Sequence, residues 1–448
     1  METPSVPEKI NNWAKNSIGL KIITVIVLVL LLLIPSTRIM RLIDERKTRK
    51  DEAVKEVEAK WGMNQSVGGP VISVPFLTRE LNSNGKWIEV TRMAHFLPEE
   101  LNIECYIKPE KLHRSIYDVI LYAADLKIKG SFVYPDFNEF SNDILSVDWS
   151  HSYISLGISD LRLQNKLKIN FNNQISDFKP GLKATDIFAN GVSCPLNLEL
   201  INKDTNLIPF NLEFTLNGSE MLHFYPLGKE TTATMKGKWA DPKFDGNFLP
   251  VDRNVTDTSF YAKWKYFDLN RSYPQKWIGN EYNVSATAFG VDLLLPVDEY
   301  QKTTRSAKYN IMFIILTFLV LFLTELIKSL RIHPFQYLMI GFAISIFYLL
   351  LLSFSEQMSF NLSYLLSGVS VIALIGFYSR FVFKSVPMAI LMAGIMLILY
   401  AFFFIILQMQ DLSLLIGSIG LFLILALVMY LSRNVDWYGS GKAKHTTD

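Results

Sequence analysis

Apolar and polar positions are segregated along this chain. Uninterrupted apolar runs occur once near the N-terminus and five times between residues 309 and 431, whereas charges recur every few positions from 41 to 308. A hydrocarbon core of ~30 Å needs a helix of ~20 apolar residues. The runs therefore predict membrane-spanning helices over 18–40, 310–327, 336–354, 362–383, 386–407 and 412–431. The first has an uncharged core over 22–37 flanked by Lys21 and Arg38. It is followed by no small-residue cleavage pattern, so it reads as an uncleaved anchor. Short tails, 1–17 and 432–448, flank the spans.

Between the first and second spans the periodicity changes twice. Over 41–61, Ala53, Val54, Val57 and Trp61 recur at helical spacing. Glu45/Arg49, Asp51/Lys55 and Glu56/Lys60 are i,i+4 pairs, and Gly62 is a stop signal. This predicts a helical stalk continuous with the first span, lifting the following domain off the bilayer. From 62 to 308 the period becomes two. Segments 71–81 and 86–96 flank Asn84-Gly85, a pair suited to a type I′ hairpin turn. Alternation recurs at Leu126/Ile128/Phe132, at Leu161 to Phe171, at Leu196/Leu198/Leu200, at Phe210 to Leu216, at Phe260 to Tyr266 and at Val284/Ala286/Ala288. Strands of this kind predict an antiparallel β-sandwich-like domain. The fold class expected is thus an α+β membrane protein: six transmembrane helices, one N-terminal and five C-terminal, with a large external β domain between the first and second.

Charge sets the expected orientation. Short cytoplasmic loops retain Lys and Arg, while long translocated domains escape that bias. Lys328 and Arg331 share one short loop, Arg380 and Lys384 another, and Arg433, Lys442 and Lys444 the tail; the loops at Glu356 and Asp411 have no cation. With Lys9 and Lys15 before the first span, both termini are expected in the cytoplasm and the β domain in the periplasm. The cations from Arg38 to Lys50 oppose this, but Asp44, Glu45, Asp51 and Glu52 sit among them. A net charge of +2 provides no long-range field for nucleic acid.

Chemistry-bearing motifs fail on context. The six histidines, His95, His113, His151, His223, His333 and His445, show no metal-ligand spacing. Ser83/Lys86 and Ser176/Lys179 have S-x-x-K spacing without companion motifs, and Gly439 to Lys442 lacks the frame of a phosphate loop. Cys105 and Cys194 either pair in an oxidising compartment or serve as small buried hydrophobes. The spans carry no mid-membrane charge; Glu325, near one end, is expected to pair with Lys328 or reach the headgroups. Trp437 and Tyr438 read as interfacial anchors. No catalytic, metal or cofactor residues are assigned, and no enzyme activity is expected.

Five segments carry a resemblance: Gly69-Pro-Val-Ile-Ser-Val-Pro75, Asp298 to Tyr309, His333-Pro-Phe-Gln-Tyr-Leu-Met-Ile-Gly341, Phe347 to Glu356 and Ser432-Arg-Asn-Val-Asp-Trp-Tyr438. Together they resemble the CreD family of bacterial inner-membrane proteins. That resemblance implies a role in cell envelope integrity under a two-component regulator, with effects on colicin tolerance and on envelope-directed antibiotics. It carries over no catalytic residues. The function expected is non-enzymatic, with the β domain binding an envelope protein, glycan or lipid and the bilayer holding the helices. The alternatives are a transporter or lipid-handling bundle, and a cell-wall hydrolase betrayed by Ser, His and carboxylate groups in mutual reach.

Overall fold

The computed structural model describes residues 18–114, 116–140, 143–203, 206–293, 299–328, 330–409 and 412–433. The chain divides into two compact units at 49/50 and 296/297: a helical unit from both ends of the chain and a β unit from the middle. Helix α1, Ile18–Trp61, is continuous for 44 residues and contributes to both. Its polar part has the expected Glu45–Arg49 and Glu56–Lys60 pairs, each 2.6 Å, and it ends before Gly62.

The β unit is two sheets facing one another across a shared core. One runs Pro242–Asp245, Phe289–Leu293, Met221–Phe224, Gln65–Leu81, Tyr153–Ile158, Gly191–Pro195, Lys179–Pro180, with Trp87–Phe96 and Ile144–Val147 also on the long central strand and Lys276–Ile278 beyond. The other runs Asp252–Val255, Phe260–Phe267, Glu230–Gly237, Glu100–Arg114, Tyr117–Phe132, Ile208–Ser219, Lys168–Phe171, Gln174–Asp177. Alternating residues of both sheets interdigitate, as where Tyr266 of one meets Phe289 of the other with ring centroids 4.6 Å apart. The Tyr122 hydroxyl donates across the core to the Met221 carbonyl at 2.6 Å.

Several expectations change in detail. Both sheets are antiparallel-rich but mixed: Gln65–Val67 runs parallel to Leu222–Phe224, and Glu230–Gly237 parallel to Glu100–Ile107. The hairpin at Asn84 exists, but its loop is five residues, 82–86, held by the Asn82 side chain accepting from the Asn84 and Lys86 amides at 3.0 Å; Gly85 has φ +71° and Asn84 has no positive φ. A two-residue turn with both φ positive occurs instead at Asn172-Asn173. The apolar triplets at 196–200 and 284–288 are not strands. They become 3₁₀ turns, Leu198–Leu200 and Val284–Thr287, capped by Asn197 and Asn283. Cys105 and Cys194 are both buried and free.

In the helical unit, α2 (Glu299–Lys308) precedes the spans α3 (Asn310–Ile327), α4 (Pro334–Ser355), α5 (Phe360–Phe383), α6 (Val386–Gln408) and α7 (Ser413–Ser432). With α1, six described helices are long and apolar enough to cross a membrane. Residues 299–308, which the periodicity leaves at the end of the β domain, are helical and belong to this unit. Pro334 occupies the first turn of α4, where its missing N–H costs nothing, and His333 and Gln336 form a reciprocal cap. An aromatic core of Phe313, Phe347, Tyr364, Tyr400 and Phe403 joins α3 to α6. Three polar ties fasten α1 to its neighbours: Lys21 to Glu325 at 2.8 Å, Ser36 to Asn310 at 2.8 Å and Arg46 to Glu356 at 3.7 Å.

Candidate functional site

The register of the hairpin sets Ser73 directly opposite His95, and both are buried. Ser73 Oγ lies 2.9 Å from His95 Nδ1, and His95 Nε2 lies 3.2 Å from Asp186 Oδ2. Serine, histidine and carboxylate are therefore in mutual reach, the arrangement set out above as the mark of a hydrolase. Two features oppose that use. Ser73 and His95 are each 1% exposed, so the hydroxyl is closed to solvent in this conformation. Burial also pulls the His95 pKa down, outweighing the hydrogen bond and charge of Asp186, which holds the ring neutral.

Elsewhere in the β unit a cavity of about 340 Å³ has Phe188 and Tyr225 in its wall. Their rings stack at 6.1 Å and 12°. They can lie against the strands because Gly68 and Gly157 offer no Cβ: one added at Gly68 would meet the Tyr225 ring at 2.2 Å, and at Gly157 the Phe188 ring at 2.5 Å. The polar lining residues are Ser66, Ser159, Thr185, Asn190, Asn283 and Ser285, all uncharged. Burial raises the Tyr225 phenol, with the Ser66 side chain opposing, so the ring presents a neutral hydroxyl. An aromatic wall with neutral donors and acceptors suits a neutral polar ligand better than an ion.

The fold also gathers residues that sequence spacing kept apart. His223, Asp245 and Asp292 bring potential ligand atoms within 4.8 Å of one another. The Lys243 ammonium already sits among them, 3.0 Å from Asp292 and 3.6 Å from Asp245, while His223 Nε2 is 2.9 Å from Asp292. Burial raises the Asp292 pKa, but hydrogen bonds from His223 and Lys243 more than offset it and hold it low. The donor set could take a divalent cation only by displacing Lys243, so the cluster reads as a satisfied ion-pair network.

In the helical unit, Glu325 is 4% exposed and does not pair with Lys328. Its carboxylate takes Lys21 Nζ of α1 at 2.8 Å and the Tyr337 hydroxyl of α4 at 3.0 Å. Lys328 instead caps α3 and is exposed. Beside this group lies a cavity of about 450 Å³ whose wall includes Arg331 and His333. A larger space of about 580 Å³ between α5 and α6 is walled mainly by aliphatic and aromatic side chains and offers little chemistry.

The remaining sequence candidates are dispersed. Ser83 is exposed in the hairpin loop, Ser176 lies on the edge strand Gln174–Asp177, and His151 is exposed with Nδ1 2.9 Å from Asp148. Lys9, Lys15, Asp298, Asp411, Trp437, Tyr438, Gly439, Lys442, Lys444 and His445 lie outside the described residues. The Ser73/His95/Asp186 group had no local signal, since Asp186 arrives from 91 positions beyond His95.

Comparison with known proteins agrees with the architecture. Residues 17–438 match the family described as inner membrane protein CreD. A curated relative, inner membrane protein CreD of Escherichia coli (strain K12), is 29% identical over 416 residues, covering 92% of this chain and 91% of its own. One apolar helix before the β unit in sequence and five after it, with a family match across nearly the whole length, make this chain a multi-pass inner membrane protein belonging to the CreD family.

Proposed function

We propose that this protein supports cell envelope integrity by binding an envelope component through its β unit, without catalysis, while the six helices hold it in the inner membrane. The observation that carries the reading is the cavity over Phe188 and Tyr225, with its uncharged polar lining. A saccharide is the envelope chemistry it suits: ring C–H groups pack on aromatic faces, and hydroxyls exchange hydrogen bonds with Ser, Thr and Asn. The Lys and Arg distribution in the short loops supports a periplasmic β unit and cytoplasmic termini, where such a ligand is within reach.

The test is titration of the full-length protein in detergent with N-acetylglucosamine oligosaccharides, read by ligand-observed NMR. Ala189 is exposed on the cavity wall, so Ala189→Trp fills the space without disturbing the core. Saturable binding lost in that variant supports the reading; no binding, or binding indifferent to Ala189→Trp, contradicts it.

A second reading, hydrolysis of a cell-wall bond, is favoured by one observation, the Ser73–His95–Asp186 chain of hydrogen bonds. It requires the sheet to open over Ser73, because nucleophilic attack needs the hydroxyl in contact with substrate.

A further inference from the structure

We infer that the cleft formed by α1, α3 and the start of α4 is a headgroup site for an anionic glycerophospholipid. The cleft is polar at one end, where Lys21, Glu325, Arg331 and Tyr337 meet, in a space of about 450 Å³. It shares Val25 and Phe322 with an apolar groove of about 500 Å³ that runs between α1 and α3. A polar chamber leading into an apolar groove matches an amphiphile with its head in the chamber and an acyl chain along the helices.

The charge inventory selects the head. Glu325 has a partner on each oxygen, Lys21 at 2.8 Å and Tyr337 at 3.0 Å, so its charge is already matched by one cation. Arg331 is exposed and forms no ion pair among the described residues, leaving one cation in excess. Guanidinium binds phosphate oxygens through paired parallel hydrogen bonds. Because Arg331 lies in the short connection between two spanning helices, it sits at the depth of lipid phosphates. An ammonium-bearing headgroup would find no free carboxylate, since Glu325 already has its cation. Phosphate without a second positive charge is therefore the chemistry the cleft fits, and basic pockets between spanning helices bind lipids of this kind. The inference concerns the helical unit and does not depend on what the β unit binds.

The experiment is native mass spectrometry of the full-length protein in mild detergent, titrated with phosphatidylglycerol, with phosphatidylcholine of the same chains, and with glycerol phosphate. Phosphatidylglycerol should be retained in preference to phosphatidylcholine. Arg331→Gln, exposed and outside the packed core, should weaken phosphatidylglycerol about fivefold, the effect of one cation near a membrane surface, and leave phosphatidylcholine unchanged. Glu325→Gln frees Lys21 and should tighten phosphatidylglycerol. Equal retention of the two lipids, indifference to Arg331→Gln, or glycerol phosphate displacing phosphatidylglycerol at equal concentration would each overturn the inference.

Discussion

Lys21 and Glu325, 304 positions apart, meet with Nζ and Oε1 2.8 Å from each other and join the first spanning helix to the second. The pair sits where charge is expensive, and its two members differ in exposure: Lys21 keeps 31% of its side-chain surface, Glu325 only 5%. The carboxylate depends on the lysine more than the reverse. Lys21→Met should therefore strand a buried anion and destabilise the protein by roughly 2 kcal/mol, less than a fully buried pair because Lys21 can still reach water. The double variant Lys21→Met/Glu325→Leu should recover most of that loss in a thermal-shift comparison.

Close packing of α1 against α4 rests on Gly341, where an added Cβ would meet Leu32 Cδ1 at 2.2 Å. Gly341→Ile should push the helices apart and cost about 1–3 kcal/mol. The loss should be visible as a lower melting temperature of the purified protein, and Leu32→Ala in the same chain should restore part of it.

Stability should fall in mild acid through His95. Its folded pKa is depressed by burial, so above about pH 6.5 the ring is neutral in both states, and as pH falls below that value the unfolded chain takes up a proton that the folded one resists. The carboxylates held low, Asp292, Asp148 and Glu80, release their stabilisation only below the ordinary acid range, while Glu220, raised chiefly by burial, acts in the opposite sense. The melting temperature should drop from about pH 7.5 to about pH 5.5, and His95→Gln should flatten that slope. An equal slope in wild type and variant would place the acid sensitivity elsewhere.

Topology follows from loop charge. Reporters fused after Lys50, near Glu356 and near Asp411 should behave as periplasmic, and those near Arg331, Lys384 and Lys444 as cytoplasmic. A cytoplasmic signal from within 64–300 would invert the orientation and remove the β unit from the periplasm.

What the sequence discloses follows the range of the interactions involved. The spans are legible because lipid demands local apolar length, and 310–327 coincides with α3 to the residue. The hairpin is legible from alternation, but a two-residue turn at Asn84-Gly85 sets the register one residue away from the observed Ser73–His95 pairing, and such a slip reverses every side chain. The triplets at 196–200 and 284–288 mislead because their alternation does not correspond to burial: Leu198 is buried but Leu200 exposed, and Val284 is buried with Thr287 three residues on while Ala286 is exposed, the spacing of a 3₁₀ turn; the signal for it was Asn197 and Asn283, each accepting from the amide two residues on. Parallel pairing of Glu100–Ile107 with Glu230–Gly237, the Lys21–Glu325 tie and the arrival of Asp186 at His95 depend on long-range closure, which no local pattern encodes.

Rescue of envelope sensitivity in a strain lacking the gene tests binding against catalysis most directly. Detergent and antibiotic tolerance would be scored with Ala189→Trp and Ser73→Ala expressed at wild-type abundance in the membrane. Filling the cavity over Phe188 and Tyr225 should abolish rescue, while Ser73→Ala, which leaves the buried His95 Nδ1 without its partner at a cost of about 1–3 kcal/mol, should rescue fully at that abundance. Loss of rescue with Ser73→Ala alongside full rescue by Ala189→Trp would contradict the account and establish the buried serine as the working group.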